Sequence, residues 1–368
     1  MHKRIIRIGS AMAAVALMVA GMAVVLAQAP SGTAAPERSP FNTDEAIKKA
    51  ADRTRAEAAL KNWTVSRTPW GDPDLRGYWL LATYTPLERP AELADKPFYT
   101  EEEALAAFKK AVESDSEVDP RTVHYDWKEF GMDAWQAGAT PNLRTSLIVD
   151  PPDGRLPPWT PEAQQRRAAA AAAARARNPA AGIRTFGNLY TRCVLGLYGA
   201  PLIRGGAPGA TAASAAAGVS AESQLVQTPG YVVILLQTNS EVRIIPLDGR
   251  PPLPNNVRHW LGDSRGRWEG DTLVVETANF NELSHSRNFG GATGALRLVE
   301  RFTRIGPNTL RYQYTITDPN TWTRPFSAEA PLPRIDPPLY EFACHEQNYG
   351  VINVVTGTQI SEGSRKAR

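Results

Sequence analysis

The sequence is poor in the residues that most often bind metals. It has two cysteines and five histidines among 368 residues, whereas a metal site needs three or four converging His, Cys or carboxylate ligands. The histidines beyond the first 27 residues are His124, His259, His285 and His345, and no two of them have H-x-H or H-x-x-x-H spacing. We therefore expect no metal centre.

Nucleotide-binding motifs are missing as well. No G-x-G-x-x-G follows a predicted strand to open a helix, and no G-x-x-x-x-G-K occurs. These glycine patterns let backbone amides approach a phosphate closely. Their absence indicates neither a nucleotide nor a nicotinamide site, and we expect no cofactor.

The chain also lacks a basic charge once its N-terminus is set aside. It has 41 Lys and Arg against 38 Asp and Glu, and Lys3, Arg4 and Arg7 account for the excess. Proteins that bind nucleic acid through the phosphate backbone need a basic surface. We therefore expect no nucleic-acid partner, and the oligomeric state stays open.

The first 27 residues have the pattern of a signal peptide. Basic residues precede an apolar run, Ala11–Leu26, and a small residue, Ala27, stands at the expected cleavage position. The alternative is an uncleaved anchor, but roughly 16 apolar residues are few for a span of about 20. We expect a periplasmic or secreted bacterial protein with no membrane span after cleavage.

Short β-branched runs separated by Gly, Asn, Asp and Pro turns indicate an antiparallel meander. The fold class is therefore mainly β, with strands that form a barrel or half-barrel and with peripheral helices. The predicted strands include Tyr231–Leu236, Val242–Leu247, Thr272–Thr277, Leu296–Arg304, Thr309–Asp318 and a last segment, Leu339–Glu346.

The domain organisation follows from composition. A single β-rich domain is predicted over residues 63–356, after a signal peptide (1–27) and a linker with a loosely packed helix (28–62). Within the domain, residues 164–181 form an Ala-rich surface helix and residues 205–223 a mobile Gly/Ala loop. Residues 357–368 form a polar tail.

The two cysteines, Cys193 and Cys344, both lie in the exported part. In an oxidising compartment the default interpretation is one disulfide, here closing a loop of about 150 residues. The alternative is a reactive thiol beside His345.

Gly262-x-Ser264-x-Gly266 fits the G-x-S-x-G pattern of a hydrolase nucleophile. That chemistry needs a helix directly after the serine. Here a predicted strand follows, so we interpret the motif as a hairpin turn.

The candidate catalytic residues are His345, Glu346 and Glu300. His345 follows an apolar segment and precedes a polar cluster, which suits a general base at a barrel rim, although backbone groups could equally satisfy its ring nitrogens. Glu300 shares a strand face with Leu298 and Phe302, so its carboxylate must be paired or have a raised pKa. A structural Arg–Glu pair and an acid–base carboxylate both stay open.

The candidate ligand-binding residues are those expected to line a barrel interior or its rim. Arg243 lies within an apolar strand, and Tyr312 and Tyr314 share a strand face. Asn348 and Tyr349 belong to the polar cluster that follows His345.

Motifs from Arg67 to about Thr356 resemble a widespread, uncharacterised family of exported bacterial proteins. They include PDLxGxW at Pro73–Trp79, WLGDSRGRWEGDTLVVET at Trp260–Thr277 and CHExNY at Cys344–Tyr349. The resemblance implies export and brings no activity or catalytic residues. Separately, Gly77-x-Trp79 is similar to the G-x-W of the first lipocalin strand, where the Trp closes one end of the barrel.

Binding of a small, partly apolar molecule in a β-barrel cavity is the leading functional hypothesis. A cofactor-free lyase, isomerase or hydrolase that uses His345 and a carboxylate is the second. An interaction protein of the cell envelope, contacting partners through its Ala-rich helix and Gly/Ala loop, is the third.

Overall fold

The computed structural model describes residues 43–60, 62–93, 95–116, 134–176, 189, 192–196, 199–203, 221–281, 283–284, 293–336, 339–346, 348–361 and 363. The predicted signal peptide, His124, His285 and most of the predicted Gly/Ala loop lie outside the described residues. Asp44–Arg368 forms one compact unit.

The described residues form ten strands in two sheets, and every strand pairing within them is antiparallel. One sheet has the order β1-β3-β4-β5 and the other the order β2-β10-β9-β8-β7-β6. The strands are β1 (Gly77–Leu80), β2 (Ile148–Asp150), β3 (Glu222–Thr228), β4 (Tyr231–Leu236), β5 (Glu241–Pro246), β6 (Asp263–Glu269), β7 (Thr272–Ala278), β8 (Arg297–Arg304), β9 (Thr309–Thr317) and β10 (Phe326–Pro333). The prediction of a mainly β, antiparallel fold is confirmed.

Side-chain alternation explains which face of each strand is buried. On β9 every second residue is buried, namely Leu310, Tyr312, Tyr314 and Ile316. Successive side chains of a strand point to opposite faces, so these four belong to one inner face. Glu300 of β8 lies directly opposite Tyr314 in the ladder, and its carboxylate therefore belongs to the same interior.

The two sheets approach each other at two places. At one, Trp79 of β1 forms an isolated bridge with Arg334, beyond the end of β10. At the other, Gly266 of β6 packs on β5, because a Cβ at this position would lie 2.8 Å from Ile245 Cγ2 and 2.6 Å from Leu247 Cδ2. No continuous ladder joins the sheets in the described part of the chain. The closed barrel among the expected architectures is therefore not found.

Trp79, the tryptophan of the G-x-W motif, is buried at the β1 edge. Its Nε1–H donates to the Leu75 carbonyl at 3.1 Å, and the Arg304 guanidinium lies 5.7 Å from its ring centroid. The indole therefore has a satisfied polar end within an apolar site.

Five α-helices have both ends within the described residues, and no described helix is long and apolar enough to cross a membrane. They are α1 (Thr43–Ala58), α2 (Glu101–Ser116), α3 (Ala134–Ala137), α4 (Pro161–Ala176) and α5 (Tyr349–Ser361). Helix α1, predicted to pack loosely, is held by Glu57, whose carboxylate accepts the Asn308 N–H at 2.6 Å. Helix α4 is the predicted Ala-rich surface helix.

Three segments differ from expectation. Leu339–Glu346 forms no strand, and no ladder within the described residues includes it. Helix α5 extends through Ser361 into the predicted polar tail. Strand β3 begins at Glu222, so the last two residues of the predicted Gly/Ala loop belong to the sheet.

Candidate functional site

A segment that we call the strap, residues 192–196 and 199–203, runs across the β5 end of the structure. A disulfide joins Cys193 to Cys344, with 5.7 Å between their Cα atoms. The Gly196 N–H donates to Glu241 Oε1 at 2.5 Å, and the Leu202 N–H donates to Tyr312 Oη at 2.9 Å. The strap is therefore fixed to both sheets despite having no regular secondary structure.

Beneath the strap lies a buried polar group that we call the Arg243 cluster: Arg243, Ser264, Thr277, Glu300 and Tyr312. Arg243 Nη1 donates to Glu300 Oε1 at 3.0 Å and Nη2 donates to Oε2 at 2.5 Å. Tyr312 Oη donates to Glu300 Oε1 at 2.7 Å. Nη2 also lies 3.3 Å from the hydroxyl oxygens of Ser264 and Thr277. The cluster joins β5 of one sheet to four strands of the other.

Burial makes each charge of this ion pair depend on the other. The side chains of Arg243 and Glu300 are 1% and 0% exposed, and an isolated charge at such depth would be strongly unfavourable. Burial lowers the pKa of Arg243, but the Glu300 carboxylate outweighs this effect and leaves the pKa raised. Pairing with Glu300 therefore stabilises the positive charge of Arg243 despite its burial.

Burial also controls the two tyrosines of β9. It raises the pKa of Tyr312 well above the ordinary value, and the negative charge of Glu300 adds to the shift. Burial alone raises the pKa of Tyr314. Both phenols are therefore neutral, and Tyr312 acts as a hydrogen-bond donor rather than a base.

Two polar atoms near the cluster have no hydrogen-bond partner among the described residues. They are Nε of Arg243 and Oη of Tyr314, and both are buried. Buried polar atoms are almost always paired, so such exceptions often mark a place that a water or ligand fills.

Next to the cluster is a cavity of about 320 Å³, which we call the seam pocket because it lies between the facing edges of the two sheets. Its walls are Val194 and Leu195 of the strap, residues 241–244 of β5, and residues 259–262 with Ser264. Arg243 lines it, so the buried cluster and the pocket share one guanidinium.

The pocket narrows along the seam. At one end Gly266 packs directly on Ile245 and Leu247, which leaves no space between β5 and β6. At the other end the side chains of Val242, Ile244 and Trp260 are 48%, 60% and 38% exposed. The seam is therefore a wedge with an apolar mouth and a polar floor.

The strap closes one side of this wedge through a close backbone approach. A Cβ at Gly199 would lie 3.1 Å from Leu261 Cδ2, and Arg243 Nη1 lies 3.4 Å from the Gly199 carbonyl. A larger residue at position 199 would require Leu261, which lines the pocket, to shift slightly.

The structure does not bring the predicted catalytic residues together. His345 and Glu346 are exposed, in an irregular segment after the disulfide. Glu300 is buried, and its two oxygens face Arg243 and Tyr312. Of the two interpretations left open for Glu300, the geometry matches the Arg–Glu pair.

The predicted ligand-binding residues separate into two groups. Arg243 lines the pocket, while Tyr312 and Tyr314 lie in the core behind it. Asn348 lies at the disulfide, where its Nδ2 is 3.2 Å from Cys193 Sγ, and Tyr349 begins α5 with its side chain exposed. Only Arg243 of the five belongs to the pocket lining.

The G-x-S-x-G segment is not the hairpin turn that we predicted. Ser264 and Gly266 lie within β6, and the turn is formed by the next residues, Gly270 and Asp271. No helix follows Ser264, so the segment is not a nucleophile elbow either. Its residues contribute instead to the pocket wall and to the close contact between β5 and β6.

Sequence reasoning missed most of the pocket. Glu241, His259 and Trp260 line it, but they precede or begin strands, where periodicity carries no information about orientation. The one signal that could have found them is the exposed apolar pair of β5, Val242 and Ile244, on either side of a buried arginine.

No cluster of three or more His, Cys, Asp or Glu suited to a metal occurs among the described residues. Comparisons with protein-family models, with curated proteins and with solved structures found no match. The functional argument therefore depends on the site itself.

Proposed function

We propose that this protein binds a small, partly apolar molecule in the seam pocket, at the open side of a half-barrel formed by its two sheets. The supporting observation is the pocket itself: about 320 Å³, with exposed apolar side chains at its mouth and a buried arginine at its floor. Pockets that bind small molecules are typically concave, mostly apolar and supplied with a few oriented polar groups.

The shape of the seam favours a small molecule over a peptide strand. An added strand would need free space along the whole length of β5. The contact between Gly266 and Ile245 closes the seam after a few residues. The open part, beside Val242 and Trp260, suits a compact ligand.

We propose further that binding takes place outside the cytoplasm. The disulfide that fixes the strap is compatible with an oxidising compartment. The signal-peptide pattern of the first 27 residues and the resemblance to exported bacterial proteins support the same location.

The geometry gives less support to the enzyme alternative. A general base must lie within hydrogen-bond reach of its partner, in or beside the substrate pocket. His345 is exposed and is not among the pocket residues, whereas Glu300 is already bound to Arg243. No contact of the described residues specifically favours the interaction alternative.

Native mass spectrometry of protein purified from its own periplasm tests the proposal. The wild type should carry a co-purifying small molecule, and Val242→Trp should lose it because the indole fills the pocket mouth. Ile305→Trp is the matched control, since Ile305 is 47% exposed against 48% for Val242 and lies outside the pocket lining. Equal retention by the two variants, or a wild type without any bound molecule, would count against the proposal.

A further inference from the structure

Building on the proposed function, we propose that the ligand of the seam pocket contains a secondary amide, which pairs with the free edge of β5. The pairing groups are the backbone N–H and C=O of Val242 and Ile244. An apolar substituent of the ligand then lies against the exposed side chains of these two residues and Trp260, all of which line the pocket.

The ladder between β4 and β5 determines which backbone groups of β5 stay free. In an antiparallel pair, residues that bond the neighbouring strand alternate with residues whose N–H and C=O point away from it. The Leu247 N–H donates to the Gly230 carbonyl at 2.9 Å, which fixes the alternation at one end. Counted back in register from Leu247, every second residue of β5 bonds β4. These residues are Ile245, Arg243 and Glu241.

Val242 and Ile244 therefore direct their N–H and C=O groups away from β4, towards the seam. The ladder on the other side of β4 agrees with this assignment. The Gln237 N–H donates to the Glu222 carbonyl at 3.0 Å, so the β4 residues opposite Val242 and Ile244 bond β3 instead. Two independent hydrogen bonds thus give the same free edge.

This edge meets no other strand in the part of the chain that the structure describes. No ladder and no isolated bridge joins β5 to β6 there. Backbone N–H and C=O groups are strong hydrogen-bonding groups, and an unpaired strand edge is a template for another amide. A pocket that contains such an edge favours a molecule that donates and accepts as a peptide group does.

The edge is short, which limits the ligand to one or two amide groups. Val242 and Ile244 are two residues apart, or about 7 Å along the strand. The next residue that faces the seam is Pro246, which has no N–H. Gly266 packs against Ile245 at the same end and closes the seam. The ligand is therefore of roughly dipeptide length and not an extended chain.

Two probes of the same shape isolate the amide. One is N-acetylphenylalanine methylamide, and the other is methyl O-acetyl-3-phenyllactate, in which ester oxygens replace both N–H groups. Titration calorimetry should give the diamide a Kd about ten-fold lower, because only the diamide donates to the carbonyls of Val242 and Ile244. Val242→Trp should bind neither probe, and Ile305→Trp should keep the wild-type difference.

Ile244→Pro tests the donor on the protein. Proline removes the N–H that faces the seam and leaves the hydrogen bonds to β4 in place, and Pro246 already occupies a position of the same orientation. Ile244→Ala is the matched control, since it loses the apolar side chain and keeps the N–H. The diamide should bind Ile244→Pro about five-fold more weakly than Ile244→Ala, as expected for one hydrogen bond.

Amide hydrogen exchange followed by NMR examines the edge in the unsubstituted protein. Without ligand, the N–H groups of Val242 and Ile244 should exchange fast and those of Arg243 and Ile245 slowly. The diamide should slow the first pair only.

Three results would each overturn the inference while leaving the proposed function standing. They are slow exchange at Val242 and Ile244 in the free protein, equal Kd values for the two probes, and equal binding of the diamide to Ile244→Pro and Ile244→Ala. Binding of neither probe would overturn it as well. The proposed function would then stand if native mass spectrometry still shows a molecule that Val242→Trp loses, and would fall if it does not.

Discussion

The two faces of the six-stranded sheet use the same types of ion pair in opposite surroundings. On the inner face, Glu300 pairs with Arg243 from the other sheet, and both side chains are almost fully buried. On the outer face, Arg267 pairs with Glu276 across the β6–β7 hairpin, with side chains that are 52% and 57% exposed.

The difference shows how depth changes the role of a charge. Water hydrates either outer partner when the other is removed, so such pairs contribute little to stability. An inner partner left alone has no substitute for its counter-ion, so each member depends on the other. The inner pair is therefore a fixed part of the pocket floor. The outer pairs lie on the surface of the same sheet and contribute little to its stability.

The largest expected effect comes from Glu300→Gln, which keeps the shape of the side chain and removes its charge. Arg243 would then be a buried, uncompensated cation, and the free energy of unfolding should fall by about 3–5 kcal/mol. Urea unfolding monitored by circular dichroism measures it.

Glu276→Gln is the matched control on the outer face, since it is the same substitution in the neighbouring strand. Combining Glu300→Gln with Arg243→Met should recover much of the loss, because both charges are then absent. Equal losses in the free energy of unfolding for Glu300→Gln and Glu276→Gln would contradict the proposed difference between the two faces.

Tyr312→Phe and Tyr314→Phe sharpen the comparison within the inner face. The hydroxyl of Tyr312 bonds both Glu300 and the Leu202 N–H, whereas that of Tyr314 has no partner among the described residues. Tyr312→Phe should lower the free energy of unfolding by about 1–3 kcal/mol, and Tyr314→Phe should leave it unchanged or slightly raised. The same urea experiment decides, and a larger loss in Tyr314→Phe would contradict the assigned contacts.

High pH should weaken the fold through the same tyrosines. Burial raises the pKa of Tyr314 and of Tyr312 in the folded state, so the unfolded chain releases these protons first, at about pH 10. Their contribution is complete below that pH and is lost as pH rises toward the folded pKa, by up to about 1.4 kcal/mol per pH unit for each tyrosine. Unfolding midpoints measured from about pH 8 to 11 should fall less steeply in Tyr314→Phe.

Tyr340→Phe controls for the loss of a phenol at the surface, because Tyr340 is 69% exposed. It should follow the wild-type pH dependence. If the unfolding midpoints of Tyr314→Phe and Tyr340→Phe fell equally steeply with pH, the buried Tyr314 would not be the cause of the pH dependence.

Much of the fold could be predicted because alternation is a local signal. The pattern of β9, with Tyr312 and Tyr314 inward, is visible in nine consecutive residues. The same signal misled at Leu339–Glu346, which pairs with no strand of the described residues. A strand needs a neighbour, and the sequence of one segment does not show whether an edge is available.

The site was harder to predict because it is assembled from distant segments. Glu300 could be placed on an inner face, but its partner Arg243 is 57 residues away and comes from the other sheet. The strap has no periodicity at all, and its position depends on Cys193 and Leu202 bonding to residues more than 100 positions later. Sequence patterns predict the face of a strand, whereas the pocket depends on which edges meet.

Arg267→Gln should have the smallest effect and complete the comparison. Arg267 contacts both Glu276 and Glu269, and Glu269 also accepts from Arg301, so removing one guanidinium leaves a second cation in the outer network. A small loss of stability in low salt should disappear near 1 M NaCl, where the Debye length is about 3 Å. The loss caused by Glu300→Gln should persist there, because ions do not reach a buried guanidinium. A loss in Arg267→Gln that resists salt would show that the outer pairs hold these strands together as the inner pair does.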